Sequence, residues 1–231
     1  MEIHRPKAFH GWRELAKEVG VITIGIAIAL GGEQTLEWLR RRTEVSHARE
    51  ALRSEIASNA GVARFTLQQE PCLSALADRM AAWAKGGPRL PDVKAAGLSP
   101  ALRTSTWEVV KVGAAAHMPL EERLAYARFY DQAPGVQANL GTEIAVWMRL
   151  AGATGKAELT PTDVERVLED ATQARFIGSI RTGQAGAVLQ LAKAMGVDPE
   201  PMSTAHVAML ATTCRIAGMT PPKPEGSASG R

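Results

Sequence analysis

The chain has 231 residues, enough for one medium-sized domain together with an anchoring segment. Aromatic residues contribute 5% while Ala and Leu are abundant, a balance that favours helices over sheets. The net charge is +3, and no dense Lys/Arg block with interleaved aromatics occurs, which argues against a nucleic-acid-binding protein.

After a short polar lead over residues 1–11, the chain enters an apolar run, Val19 to Gly32, of fourteen consecutive residues without a charge. A helix of this length covers roughly 21 Å, less than the roughly 30 Å hydrocarbon core of a bilayer. Trp residues flank the run, however, and a continuous helix would place Trp12 and Trp38 about 39 Å apart, close to the thickness of a bilayer with its headgroups. Interfacial Trp followed by basic residues is typical of the edge of a membrane span.

This pattern predicts a single transmembrane helix over residues 12–39, with the lipid bilayer as its first partner. The positions expected inside the membrane are Val19, Ile22, Ile26 and Leu30. The expected interface anchors are Trp12, Trp38, Arg40, Arg41 and Arg42.

Two other interpretations of the apolar run compete with a retained span. A cleaved secretory signal would use Ala27-Ile28-Ala29 as its small-x-small site, although Glu14 and Glu18 interrupt the basic region before it. A core helix of a soluble protein is the other interpretation, which the four glycines of the run disfavour because glycine is a poor helix former in water.

The region after the span predicts a helical stalk over residues 40–70. Apolar residues recur there at spacings of three and four, from Val45 to Ala63, with no turn signal separating them from the span. Asn59 lies on this apolar stripe, where it would either specify the register of paired helices or end the buried face. Pro71 is expected to kink or end the helix.

A helical domain is predicted over residues 71–219, followed by a disordered tail at residues 220–231. Thr160-Pro161-Thr162-Asp163 is a strong helix start, with Thr160 as N-cap and Pro161 at the first position. Residues 88–100 are expected to form a loop, Pro134-Gly135 a turn, and Gly196 a helix C-cap. The expected helices cover residues 72–85, 101–116, 119–131, 136–150, 161–195 and 204–216. The fold class is therefore all-α: one N-terminal transmembrane helix that continues into a stalk, followed by an irregular helical bundle.

The start of the chain resembles an uncharacterised bacterial family of single-span membrane proteins, a domain of unknown function. The similar motifs are Trp12-Arg13-Glu14, Lys17-Glu18, Ile24-Gly25, Ile28-Ala29-Leu30 and Glu33-Gln34. Looser similarity follows at Trp107-Glu108, Gly113, Tyr126-Ala127 and Tyr130-Asp131. The resemblance implies a membrane-anchored helical domain and implies no activity.

No catalytic motif is found in the sequence, so we expect no enzyme, no cofactor and no metal site. Gly178 and Gly183 have the spacing of a phosphate-binding loop, but Gln184-Ala185 replaces the required Lys-Ser/Thr. The five histidines form no i, i+4 pair, and His117 is the one candidate for a titrating group.

The expected function is a membrane-tethered interaction or structural module. A second copy of the chain, or another membrane protein, is expected to bind through the span and the stalk. The span carries the small-residue pair Ala27 and Gly31, and Glu33 and Gln34 lie at its edge. The alternative is a sensor-like domain that binds a small ligand and acts through a partner, with pocket candidates Arg79, Trp83, Trp107 and Trp147.

The expected location is a bacterial inner membrane, crossed once, with the N-terminus cytoplasmic and the helical domain periplasmic. Four basic residues before the apolar run, Arg5, Lys7, Arg13 and Lys17, favour this orientation, while Arg40, Arg41 and Arg42 after it oppose it. Because the periplasm is oxidising, Cys72 and Cys214 are candidates for a disulfide that ties the last helix to the stalk. Two separate buried thiols in a cytoplasmic domain are the alternative.

Overall fold

The computed structural model describes residues 11–90, residue 93 and residues 100–222, with Glu14 described by its backbone alone. Within these ranges the chain forms helices and no strand. The helices are α1 (Trp12–Ala84), α2 (Ser105–Val110), α3 (Leu120–Tyr130), α4 (Ala133–Thr154), α5 (Pro161–Ala194) and α6 (Thr204–Ala217), with a 3-10 turn at Ala114–His117. This confirms the predicted all-α fold, in which a long N-terminal helix is followed by a helical bundle.

Helix α1 has 73 residues and is therefore about 110 Å long. No described side chain between residues 12 and 44 is buried, so this protruding part of α1 extends away from the bundle. Burial begins at Val45 and recurs along the apolar stripe that the sequence predicts. The same continuous helix therefore forms both the protruding part and the centre of the bundle.

Helix α1 continues through Pro71 to Ala84, so the segments expected on either side of this proline form one helix. Proline removes one backbone donor and crowds the preceding turn, which usually ends a helix. Here the neighbouring side chains Gln69, Cys72 and Leu73 are buried against other helices, while Pro71 itself faces solvent. Tertiary packing on one face thus outweighs the local cost on the other, and residues 40–70 and 71–84 belong to one continuous helix.

Helix α5 packs along α1 in the opposite direction. Just beyond the end of α5, the Gly196 carbonyl accepts a hydrogen bond from the Arg53 side chain of α1. In the first half of α5, Arg175 pairs with Asp78, which lies much later in α1. Helix α4 runs antiparallel to α5, because Arg149 pairs with Asp170 at one level and Glu143 pairs with Arg181 at the other. Helices α1 and α4 consequently enclose α5 and point the same way.

Helices α3 and α6 run parallel to α1 at different levels. Arg49 pairs with Glu122 in the first turn of α3, which places α3 beside the first buried turns of α1. In α6, the His206 ring stacks on Phe65 at 4.9 Å, and the Arg79 side chain donates to the Ile216 carbonyl. The bundle is therefore built in two storeys along α1.

Each storey has its own apolar core. The lower core, next to the protruding part of α1, joins α1 to the 3-10 turn, α3 and the second half of α5; its members include Val45, Ala48, Leu52, Ile56, Ala115, Met118, Tyr126, Phe129 and Val188. The upper core joins α1 to α4, the first half of α5 and α6; its members include Phe65, Leu76, Met80, Val146, Trp147, Leu150, Ile177 and Leu210.

Helix ends agree with the sequence where local capping decides them. Thr160 and Asp163 form a full capping box at the start of α5, and Gly196 follows its end with φ +64°, a conformation that glycine adopts at low cost. The expected turn at Pro134-Gly135 is instead the first turn of α4, where proline is tolerated. The single helix expected over residues 101–116 is broken into α2 and the 3-10 turn.

Some expectations concern residues outside the described ranges. These residues include most of the loop expected at residues 88–100, the polar lead up to residue 10 and the tail from residue 223 onward.

Candidate functional site

The residues assigned to the membrane span all lie on the protruding part of α1 and face away from protein. Val19, Ile22, Ile26 and Leu30 are 53 to 62% exposed, and Trp12 and Trp38 are exposed as well. The Arg42 guanidinium lies 5.4 Å from the centroid of the Trp38 ring, so one expected interface anchor contacts another. Arg41 pairs with Glu37 one turn earlier.

Among the described residues, α1 is the one helix long and apolar enough to cross a membrane by length and composition. Its most apolar stretch has no residue buried inside the bundle. An apolar helix in the core of a soluble domain would be covered by neighbouring elements. No described residue outside α1 forms such a cover over this stretch.

The two cysteines meet in the upper storey. Cys72 of α1 and Cys214 of α6 form a disulfide, with their Cα atoms 4.8 Å apart. The bond joins positions 142 residues apart and ties the last described helix to the C-terminal part of α1. Gln69 donates to Thr213 beside it, so a buried polar contact supports the same junction.

The residues proposed to line a sensory pocket are separated by the fold. Trp147 is buried in the upper core, with Trp83 packed against it, whereas Trp107 packs on the lower core. Arg79 donates to the Ile216 carbonyl near the end of α6 rather than facing a cavity with the tryptophans. His117 is exposed at the end of the 3-10 turn.

A buried cluster of charged residues lies at the junction of the two storeys, where α1, α4 and α5 meet. Glu143 of α4 pairs with Arg181 of α5, and their side chains are 1% and 4% exposed. Glu70 of α1 extends towards the same pair and packs against the backbone of Gly178, where any side chain would collide with its carboxylate. The carboxyl groups of Glu70 and Glu143 thus both lie near one guanidinium inside the bundle, and Glu143 pairs with it.

The surroundings of the cluster shift its proton equilibria. The pKa of Glu70 is raised to about 7, chiefly by burial and secondly by the nearby Glu143, against the opposing effect of Arg181. Burial likewise raises the pKa of Glu143, although Arg181 favours its ionised form. A carboxyl group poised near neutral pH can exchange a proton under physiological conditions.

Space around the cluster limits the chemistry it can perform. The cavity that reaches Arg181 and Gln184 has a volume near 20 Å³, enough for about one water molecule. Two larger cavities, near 440 and 360 Å³, are lined by other residues and do not include Glu70, Glu143 or Arg181. In this conformation the cluster is suited to binding a proton, since neither Glu70 nor Glu143 lines any of these three cavities.

A second buried carboxylate, Glu55, fastens the start of α2 and the end of α3 to α1. It accepts hydrogen bonds from the Ser105 hydroxyl, the Thr106 backbone N–H and the Tyr130 hydroxyl. Burial acts to raise its pKa, but these hydrogen bonds outweigh burial and lower the pKa below its ordinary value. One turn later, Asn59 exchanges two hydrogen bonds with the backbone of Arg103. The buried face of α1 continues beyond it to Ala84, so Asn59 does not end that face.

Sequence reasoning missed the charged cluster. Its signal is a charge on an otherwise apolar stripe: Glu143 follows Leu140 and precedes Trp147, and Arg181 lies between Ile177 and Ala185. In the sequence, Arg181 lies between Gly178 and Gly183, whose spacing is that of a phosphate-binding loop. That stretch is interior helix in α5, without a loop to surround a phosphate.

No protein-family model, curated protein or solved structure matches the chain. Among the described residues, no group of three or more His, Cys, Asp or Glu side chains is arranged to bind a metal ion.

Proposed function

We propose that the chain is a single-pass membrane protein whose helical bundle is an interaction or structural module fixed to the bilayer by α1. The observation that carries this proposal is the protruding part of α1, whose apolar stretch is covered by nothing in the bundle. Exposed apolar surface costs about 25 cal/mol per Å² in water, and a bilayer would remove that cost. The resemblance of the N-terminal region to single-span bacterial proteins agrees with this reading.

Retention of the span is favoured over cleavage of a signal. Residues 12–84 form one helix without an interruption, and the interface anchors after the apolar run remain part of it. A rigid connection of this kind transmits the position of the membrane directly to the lower core.

The periplasmic orientation is supported by the disulfide between Cys72 and Cys214, because such bonds persist in oxidising compartments. Alkylation of unreduced, denatured protein purified from bacterial membranes tests this part. We expect neither thiol to react until a reductant is added. Reaction of both thiols without reductant would contradict the periplasmic placement and leave the membrane anchor unaffected.

A sensor-like module is the second candidate, favoured by the cavity of about 440 Å³ between α1 and the start of α6. Polar and charged side chains line it, among them Ser58, Asn59, Arg103, Ser203 and His206. A ligand in this cavity would contact both α1 and α6. The cavity does not contain the tryptophans proposed from the sequence.

Membrane fractionation of an Ile26→Asp variant tests the anchor. A charge in the middle of a span costs about 2.5–3.5 kcal/mol on insertion scales, so we expect the variant in the soluble or degraded fraction. Met148→Asp is the matched control, because Met148 is a similarly exposed apolar residue on the bundle. Release of the unchanged protein by carbonate, without detergent, would overturn the proposal.

A further inference from the structure

Exposed apolar side chains are concentrated at the end of the bundle that adjoins the protruding part of α1. Val109 and Val112 are 75% and 82% exposed, and Leu120 and Leu124 are 59% and 44% exposed. Leu120 and Leu124 lie one turn apart on the same face of α3. We name these four residues the apolar tip.

Contacts with α1 define the level of the apolar tip. The chain is bonded to Glu55 at Ser105 and Thr106 and returns to α1 at the Arg49–Glu122 pair. Between these points, Ala115 and Met118 share the lower core with Val45 and Ala48, the first buried residues of α1. The segment from residue 107 to residue 124 therefore lies beside residues 45–55 of α1, at the end of the bundle that adjoins the protruding helix.

The distance from the tip to the expected bilayer surface is short. Seven residues separate Trp38 from Val45, so the lower core begins about 10 Å beyond the interfacial tryptophan. The headgroup layer is roughly 5–7 Å thick on each side, and membrane helices tilt by about 20° on average. Because no flexible linker intervenes, a modest tilt of α1 brings the apolar tip onto the headgroups.

The charges around the apolar tip favour contact with lipid headgroups in general rather than with anionic lipids in particular. Lys111 pairs with Glu108, and Glu122 pairs with Arg49, so two of the nearby cations are neutralised within the protein. Valine and leucine side chains on a protruding turn are the kind of group that enters the boundary between headgroups and acyl chains.

We propose that the apolar tip, Val109, Val112, Leu120 and Leu124, contacts the surface of the same bilayer that α1 crosses. This inference rests on the proposed membrane anchor. A second contact beside the span would fix the tilt of α1 and the orientation of the bundle over the membrane.

Depth-dependent fluorescence quenching tests the contact in the full chain, reconstituted in phosphatidylcholine vesicles. Single cysteines are introduced as Val112→Cys or Leu120→Cys and labelled with an environment-sensitive fluorophore while the native disulfide stays oxidised. The quencher is a lipid with a nitroxide in its headgroup region. Phe176→Cys is the matched control, because Phe176 is 65% exposed but lies on α5 between the Glu70 and Asp78 levels of α1, roughly 50 Å beyond Trp38.

We expect quenching at positions 112 and 120 to exceed that at position 176 at least about twofold, as for groups that enter the interface. Equal quenching at positions 112, 120 and 176 would overturn the contact. Shielding of the label at position 112 that appears only as the protein density in the vesicles rises would also overturn the contact. Such a result indicates that a second copy of the chain covers the apolar tip.

A fluorophore on an Ile26→Cys variant, quenched by a nitroxide on the lipid acyl chain, tests the membrane anchor independently of the tip contact. Quenching at position 26 without quenching at positions 112 and 120 rejects the tip contact alone. Absence of quenching at position 26 rejects the anchor and the tip contact together.

Discussion

At the residue scale, the pair of Glu143 and Arg181 sets the electrostatics of the bundle interior. Both side chains are almost fully buried, and the carboxyl group of Glu70 lies near the same guanidinium. The stability of such a pair relative to apolar residues is often small, but removal of one partner leaves charge without compensation.

Replacement of Arg181 by Met should expose this dependence. We expect the free energy of unfolding to fall by about 3–5 kcal/mol at pH 8, because two carboxyl groups lose their counter-charge. The loss should be smaller at pH 5, where these carboxyl groups bind protons. Arg166→Met, an exposed position on the same helix, is the control, measured by chemical denaturation in detergent. Equal effects of the two substitutions would contradict a buried ionic cluster.

Glu70 gives the stability a pH dependence of defined sign. Its pKa is about 7 in the folded chain and 4.5 for an ordinary Glu, so the folded state binds the proton more tightly. The corresponding stabilisation is complete below about pH 4.5 and is lost as the pH rises through 7, a decrease of up to about 3 kcal/mol. Glu70→Gln should flatten the unfolding free energy over this range relative to Glu169→Gln on the surface of α5. Parallel pH profiles for the two variants would show that Glu70 is not buried at this junction.

At the element scale, close approach between α1 and the segment before α6 depends on Gly61. A Cβ atom there would lie 2.8 Å from the Glu200 carbonyl oxygen. The same Glu200 donates its N–H to the Ala57 carbonyl and accepts from Arg64, so its backbone is fastened to α1. Neither backbone can move without breaking these hydrogen bonds.

Gly61→Ala should therefore destabilise the bundle by about 1–3 kcal/mol, although alanine is the better helix former. Gly183→Ala is the matched control, since nothing lies within 4 Å of its Cβ position on α5. That variant should gain about 0.5–1 kcal/mol from helix propensity alone. Thermal unfolding of both proteins measures the difference, and a stabilising Gly61→Ala would place Glu200 away from α1.

At the scale of the whole molecule, the bundle makes no use of the protruding part of α1 as core. A chain shortened to begin at Thr43 retains all buried residues of the described ranges, because burial starts at Val45. We expect it to fold in water without detergent, with dominant helical circular dichroism and a cooperative thermal transition. A chain beginning at Ala60 is the control: it lacks Leu52, Glu55 and Ile56 and should lose the lower core. Aggregation of the chain that begins at Thr43 in the absence of detergent would contradict the division of α1 into a protruding part and a bundle part.

The arrangement of the two storeys could be predicted only in part from the sequence. The apolar stripe from Val45 onward and the capping box at Thr160 act within a few residues, so local rules reveal them. Pro71 and Pro134 misled the prediction, because burial of neighbouring side chains and a tolerant first turn decide whether a helix continues at proline.

By itself, the sequence determined the all-α class, the apolar segment at Val19 to Gly32 and most helix ends, because these depend on composition, periodicity and capping. Tertiary structure alone decided which helix faces meet, and with them the cluster of Glu70, Glu143 and Arg181. Helical periodicity identifies an apolar face but not the partner that covers it. The free energy that makes a buried charge tolerable comes from a counter-charge on another helix, distant in sequence and adjacent only in the folded chain.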